Sequence, residues 1–182
     1  KGIVTNERPE SGKWYPWISD WYVAGQPDFM GGLPDPSLAK FVAYPMPLLS
    51  DIEIDTDGSM ILAFTDRFGH QVRFAGVDAH GKHHGTYGFD PRLGGDILRA
   101  SQCDGTTWVI ENNATLCGVS SLGKDNNQGI GGGEFYYGDS NDAFGHYETS
   151  VGSLAFLPGS REIMLASTDP IRTYSTGVTW LD

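Results

Sequence analysis

The sequence predicts an all-β fold, and three observations carry the prediction. A segment made of two apolar runs around a tight turn recurs along the chain, glycine, proline or Asp-Gly interrupts nearly every ten residues, and no window sustains an apolar stripe at helical spacing. The clearest copies are residues 52–66 (Ile52-Glu53-Ile54, Asp57-Gly58, Met60-Ile61-Leu62-Ala63-Phe64, Thr65-Asp66) and 154–169 (Leu154-Ala155-Phe156, Pro158-Gly159-Ser160, Ile163-Met164-Leu165-Ala166, Thr168-Asp169). The second copy carries one extra turn residue. A fainter copy lies between them, with Asp96 to Ala100, the turn Asp104-Gly105, and Thr107 to Glu111. Each reads as a β-hairpin. The Asp-Gly turns at Asp57 and Asp104 are 47 residues apart and the turn at Gly159 follows 55 later, a period that belongs to propeller blades.

The expected architecture is therefore a β-propeller-like array of antiparallel four-stranded blades. At about 45 residues per blade, 182 residues supply three to four of them, fewer than the common closed ring. Residues 1–182 read as a single propeller-like domain, or a fragment of one, without an internal boundary. Further segments of the same polypeptide or neighbouring copies would then complete the array, because an open one leaves edges and an apolar flank uncovered.

Taken in order, residues 1–37 are irregular and aromatic, with one strand expected within Trp14 to Tyr22. Phe41 to Tyr44 forms a short strand that Pro45 and Pro47 end, since proline cannot donate to a ladder. The first hairpin spans 51–66, and Gln71-Val72-Arg73-Phe74 alternates as a half-buried strand does. Residues 78–95 form a polar loop, the second hairpin runs from about 96 to 111, and residues 120–133 form another loop. Its glycine run, Gly129 to Gly133, is not a phosphate cradle, because no Gly-Lys-Ser/Thr follows. The third hairpin is 152–169, and Gly177 to Leu181 reads as a closing strand.

Twelve Lys and Arg against 23 Asp and Glu give a net charge of -11. That balance argues against nucleic acid and anionic membranes as partners, since both need a basic surface. No stretch approaches the length of an apolar membrane span. The chain starts at Lys1, so it reads as processed or as a piece of something longer. Two cysteines, Cys103 and Cys117, flank one hairpin, and neither a CxxC nor a second pair points to zinc or redox chemistry. A disulfide between them is expected. Asn113-Ala114-Thr115 is a glycosylation sequon if the source glycosylates.

Several long stretches are similar to large bacterial surface proteins that carry SdrD B-like domains. They are Leu49 to Gln71, Gly94 to Ala100, Gly131 to Asp139, and His146 to Ser150 leading into Leu154 to Ser160. The matches keep their order from about Trp14 to Trp180. The resemblance implies an extracellular, propeller-like region of a long multidomain cell-surface protein, and it implies a location and a scaffold more than a reaction.

Six sets of residues could carry chemistry. Asp51, Glu53 and Asp55 alternate along one strand face into Asp57-Gly58, with Ile52 and Ile54 expected to face the core. Asp55 and Asp57 resemble half of a calcium loop, and Asp139, Asn141 and Asp142 form a second acidic loop with oxygens at short spacing. Solvated acid or self-bonded Asx turns are the plainer accounts. Asp66 and Asp169 follow equivalent strands, where they cap turns or, in a closed ring, line a funnel. His146 and Glu148 share a strand face and could act as acid and base or hold a metal. His80, His83 and His84 could bind a transition metal, but a flexible, glycine-bounded surface loop is the plainer reading. Trp14, Trp17, Trp21, Tyr22, Tyr136 and Tyr137 fill inter-sheet space or, if exposed, stack on sugars.

The expected function is a non-enzymatic extracellular structural or adhesive module of a bacterial surface or matrix protein, with calcium as the one candidate cofactor and a glycan or surface protein as the candidate partner. The alternative is a propeller hydrolase or lyase acting on a glycan, with Asp66, His146, Glu148 and Asp169 at the funnel.

Overall fold

The computed structural model describes residues 14–17, 40–42, 46–71, 81, 89–91, 95–138, 150–168 and 176–181. In chain order the strands are β1 (Lys40–Val42), β2 (Pro47–Ile54), β3 (Met60–Asp66), β4 (Phe89–Pro91), β5 (Asp96–Ser101), β6 (Val109–Ile110), β7 (Thr115–Leu116), β8 (Val119–Ser120), β9 (Ser150–Phe156), β10 (Ile163–Thr168) and β11 (Thr176–Leu181). Helix among the described residues is confined to the five-residue α1 (Arg67–Gln71) and a 3-10 turn at Ile130–Gly132. The protein is all-β with antiparallel sheets, and the scarcity of helix follows from the frequency of glycine and proline.

Two meanders dominate. One sheet has the order β2-β3-β5-β6 and the other β11-β10-β9, both antiparallel throughout. All three expected hairpins are present, and the closing strand is β11. Strand β1 pairs with β4 in parallel, a connection that hairpin repeats do not foretell. Each repeated turn places a glycine at positive φ: Gly58 at 79°, Gly105 at 77° and Gly159 at 84°. Only glycine takes that conformation at no steric cost, which is why the turns recur with it. At two of them an aspartate closes the turn. Asp57 Oδ1 accepts from Ser59 N (2.8 Å), and Asp104 Oδ1 accepts from Thr106 N (2.8 Å) and Thr107 N (2.7 Å).

The sheets pack face to face, with β9 lying over β2 and β3. Ile61 and Ala63 of β3, Ile97 of β5, Leu154 of β9, Ile163 and Leu165 of β10 and Leu181 of β11 fill the space between, together with Tyr136. Burying each large aliphatic side chain contributes about 1.5–3 kcal/mol. The opposite face of the first sheet buries Leu62, Leu98 and Ala100 beside Met60, Phe64 and Ile130. The central strands β3 and β5 are thus covered on both sides.

Strand β2 corrects one expectation. Ile52 and Ile54 are 46% and 52% exposed, while Asp51 and Glu53 pair across the ladder with Ala63 and Ile61, whose side chains line the inter-sheet core. The acidic face points inward because β9 offers unpaired backbone groups there. Asp51 Oδ2 accepts from Leu154 N (3.1 Å), and Ser50 Oγ donates to Gly152 O (2.5 Å). A bulge at Ser50 permits this: the register shifts between Leu49 and Asp51, which turns the serine toward β9.

Gln71 ends α1 rather than opening a strand, and residues 72–74 lie outside the described residues. Asp66 drives that change by capping the helix. Its Oδ1 accepts from Phe68 N (2.8 Å) and from Met46 N (2.9 Å). Trp14 to Trp17 carry no regular structure; Trp14 rests 6.5 Å from the Phe64 ring and Trp17 Nε1 donates to Pro47 O (2.6 Å).

Between β6 and β9 the chain makes two consecutive two-residue turns with left-handed backbone, Asn113-Ala114 (φ 49° and 51°) and Cys117-Gly118 (φ 50° and 80°). Both match the hairpin turn whose twist suits antiparallel strands. Cys103 and Cys117 form a disulfide with Cα atoms 5.1 Å apart, as expected, and it ties the β7-β8 hairpin to the turn after β5.

The close approach of the sheets yields a contrast. A Cβ on Gly152 (φ +81°) would overlap Ser50 Oγ and Thr65, whereas one on Gly58 (φ +79°) meets open space. Urea unfolding of Gly152→Ala is expected to show a loss of at least about 3 kcal/mol, against about 1 kcal/mol for Gly58→Ala. Equal losses would mean that the sheets do not meet at Gly152. Reducing the disulfide, whose cysteines are 14 residues apart, should cost about 3 kcal/mol. That corresponds to a fall in Tm on the order of 10 °C, read by calorimetry with and without reductant.

Candidate functional site

Strand β5 reads Asp96-Ile97-Leu98-Arg99-Ala100-Ser101, so one arginine sits in an otherwise apolar run. Its register partner on β3 is Ile61, which puts the Arg99 side chain on the inner face of the sheet. A guanidinium there loses water and needs acceptors. It finds them in the neighbouring turn. Arg99 Nη2 donates to Asp55 Oδ2 (2.5 Å) and Ser59 Oγ (2.7 Å), and lies 3.4 Å from Asp57 Oδ2. Arg99 Nη1 donates to the Tyr136 hydroxyl (2.9 Å), and the guanidinium stands 5.3 Å from the centre of the Phe135 ring.

Asp55 also reaches across to the other sheet, where its Oδ1 accepts from Gly159 N (2.9 Å). The tips of two repeated hairpins therefore meet on one carboxylate. Burial opposes ionisation of Asp55, but the Gly159 amide, Arg99 and the Thr56 amide outweigh it and hold the carboxyl below its ordinary value. The Ser59 hydroxyl does the same for Asp57.

Beneath this pair lie buried carboxyls. Strand β6 is two residues long, and where it ends Glu111 takes over the edge of β5. Glu111 Oε1 accepts from Arg99 N (2.8 Å), and Oε2 accepts from Phe135 N (2.6 Å). Burial pushes Glu111 up to about 8, with the charge of Asp96 adding to the effect. Asp96 is fully buried beside the Trp14 indole and the Glu134 carboxyl, and burial raises it to about 6.

Above the Arg99 floor opens a cleft of about 470 Å³, bounded by three hairpins. One wall is the β2-β3 turn with Thr56 and Asp57, and another is the β9-β10 turn with Ser160 and Arg161. The third is the disulfide-tied β7-β8 hairpin with Leu116, Val119 and Ser120. That volume falls within the range of small-molecule pockets, roughly 300–1,000 Å³. Its polar floor and aliphatic rim suit binding. Hydroxyls of Thr56, Ser101, Ser120, Ser121 and Ser160 and the carboxylates of Asp55 and Asp57 line it, whereas the Thr65 Oγ1–His70 Nε2 contact (2.8 Å) involves a buried threonine that is not part of the lining.

Of the sequence-predicted residues, Asp55 and Asp57 come together, around the chain's own guanidinium. Among the described residues no group of three or more His, Cys, Asp or Glu is arranged to hold a metal ion. Asp66 is fully buried against α1, so its carboxyl caps a helix. Asn113 is a sequon residue whose amide is engaged on both atoms: Nδ2 donates to Asp125 Oδ1 (2.6 Å) and Oδ1 accepts from Asp125 N (2.9 Å). Tyr136 is buried in the core, whereas Trp17, Trp108 and Trp180 are exposed. Asp139, Asn141, Asp142, His146, Glu148 and Asp169, the histidines at 80, 83 and 84, and the aromatics Trp21 and Tyr22 lie outside the described residues.

Sequence reasoning missed Arg99 and Glu111, and it read Tyr136 as a core aromatic, which it is, without its bond to Arg99. A lone arginine within an apolar strand was a visible signal for the first; nothing local marks Glu111. Comparison with family models, with curated proteins and with solved structures finds no match.

Asp66 (about 7), Asp96 (about 6) and Glu111 (about 8) all titrate above their ordinary range. The native state thus keeps protons that the unfolded chain has already released. Stability is expected to be highest near pH 4–5 and to fall as pH rises through 8. Asp66→Asn retains the Oδ1 acceptor and removes one titration, so it should shrink the difference in Tm between pH 5 and pH 8 by on the order of 5 °C. A Tm that rises over that interval in the parent protein would show these carboxyls to be ionised in the fold.

Proposed function

We propose that this chain is a non-enzymatic structural or adhesive module of a bacterial surface or matrix protein, working outside the cell and binding through the cleft above Arg99. The observation that carries the reading is the construction of that cleft. A charge-matched Arg99–Asp55 floor, a disulfide-tied wall and two hairpin tips joined at Asp55 make a braced recess of a size suited to a ligand. A disulfide also suits an oxidising compartment.

The finer architecture belongs to the same proposal. A four-stranded meander in sequential order is how a propeller blade is built, and face-to-face packing on a second meander is how blades adjoin. On this reading the two sheets are successive blades, and further chain or neighbouring copies cover the apolar residues left exposed on the outer sheet faces, Ile52, Ile54, Val178 and Trp180. Calcium, if it stiffens the module, would bind the acidic loop of Asp139, Asn141 and Asp142, because Asp55 and Asp57 already face a guanidinium. The similarity to surface proteins carrying SdrD B-like domains is the support for the bacterial, cell-surface setting.

The test pairs retention with turnover. Beads coated with the chain are expected to be retained on bacterial cells or extracted matrix polysaccharide and to release no reducing ends or unsaturated sugars from it. Product formation would replace the module with the hydrolase or lyase alternative; failure to be retained on any surface would remove the adhesive role.

A further inference from the structure

Most polar groups at the floor of the cleft are spent on one another. Arg99 is committed to Asp55, Ser59 and Tyr136, and Asp55 to Arg99 and the Gly159 and Thr56 amides. What remains uncommitted is on the walls. The Asp57 side chain is 62% exposed; its Oδ1 is held by Ser59 N and Oγ, but its Oδ2 keeps only a 3.4 Å contact to Arg99 and faces the recess. Arg161 on the facing turn is exposed and makes no hydrogen bond or ion pair among the described residues. Hydroxyls line the same recess as well: Thr56 Oγ1 donates to Asp55 Oδ1 (3.3 Å) and Ser160 Oγ accepts from Glu162 N (3.0 Å), so the first can still accept and the second still donate, and Ser101 stands beside them. Val119, 62% exposed, forms an aliphatic edge.

The charges in the recess cancel: Asp55 against Arg99 below, Asp57 against Arg161 above. A purely anionic ligand would meet Asp57 and a purely cationic one Arg161, at a cost in each case. A ligand favoured by this arrangement carries many groups that both donate and accept, with no net charge. Vicinal hydroxyls of a sugar fit that description. One can donate to a carboxylate while its neighbour accepts from a guanidinium, and the C–H face of the ring has Val119 to lie against. Resting on the adhesive reading, we propose that the cleft between the β2-β3 and β9-β10 turns binds a neutral, hydroxyl-rich glycan, with Asp57 and Arg161 as its main polar contacts.

The experiment is a titration of the ¹⁵N-labelled chain with glucose, galactose, mannose, N-acetylglucosamine and cellobiose, followed by amide shifts. At least one is expected to bind saturably and to move the amides of Thr56, Gly159 and Ser160. Removing a charged hydrogen-bond partner should weaken that binding by about tenfold or more in both Arg161→Ala and Asp57→Asn. Arg161 lies on the surface, so its variant keeps the claim testable if Asp57→Asn disturbs the turn. Binding unchanged in Arg161→Ala, no shift with any of the five sugars, or tighter binding of galacturonate, glucosamine or glycylglycine would each overturn the proposal. If beads carrying Arg161→Ala are still retained on cells as the parent is, the cleft assignment fails while the adhesive role stands. If the parent itself is not retained, the adhesive role fails first.

Discussion

The structure depends on polar side chains that complete hydrogen-bond ladders where strands end too soon. Strand β6 has two residues, and Glu111 continues its work by accepting from Arg99 N and Phe135 N. Among the described residues strand β9 has one edge without a partner strand in its own sheet, and Ser50 and Asp51 of the other sheet satisfy Gly152 O and Leu154 N. Asp66 does the same for Met46 N and the first turn of α1. An unpaired buried amide costs about 1–3 kcal/mol, so these acceptors matter more than their number suggests. They also leave the edges unattractive to other strands.

Such a solution carries an electrostatic cost, and at the cleft Arg99 is paired with Asp55. A buried ion pair seldom stabilises beyond an apolar substitute, because desolvation of both charges offsets their attraction. What the pair supplies is geometry. Asp55 can bond Arg99 and Gly159 together only when the β2-β3 turn, β5 and the β9-β10 turn stand in one arrangement. Tyr136 and Phe135 close the same node from the loop after Ile130–Gly132. The cleft owes its shape to this node, and its uncommitted groups are the ones the node leaves over.

Backbone approach sets the second constraint. Gly95 and Gly152 lie where the sheets meet, and a Cβ at either would strike neighbouring strands: the carbonyls of Ser150 on β9 and Phe64 on β3 at Gly95, and Ser50 and Thr65 at Gly152. With methyl-free backbone at those points, Ser50 can reach Gly152 O and the apolar residues of β3, β5, β9, β10 and β11 can interlock. Glycine here serves packing, whereas Gly58, Gly105 and Gly159 serve turns.

Local chemistry by itself determined the hairpins. Apolar runs broken by Asp-Gly or Pro-Gly-Ser leave few alternatives, so the strands, the repeated turns, the scarcity of helix and the Cys103–Cys117 bridge were legible along the chain. Only tertiary structure decided which face of β2 turned inward. Alternation separates two faces but does not say which one meets a partner, and the free edge of β9, about 100 residues away in sequence, selected the acidic one. The cleft was legible in part. Asp55 and Asp57 stood out as paired carboxylates, but their counter-charge lies more than 40 residues on, at Arg99, and a contact of that span leaves no periodic trace. The same holds for Glu111, which reaches the Arg99 and Phe135 amides where β6 ends, and for the Tyr136 hydroxyl, which accepts from Arg99 Nη1.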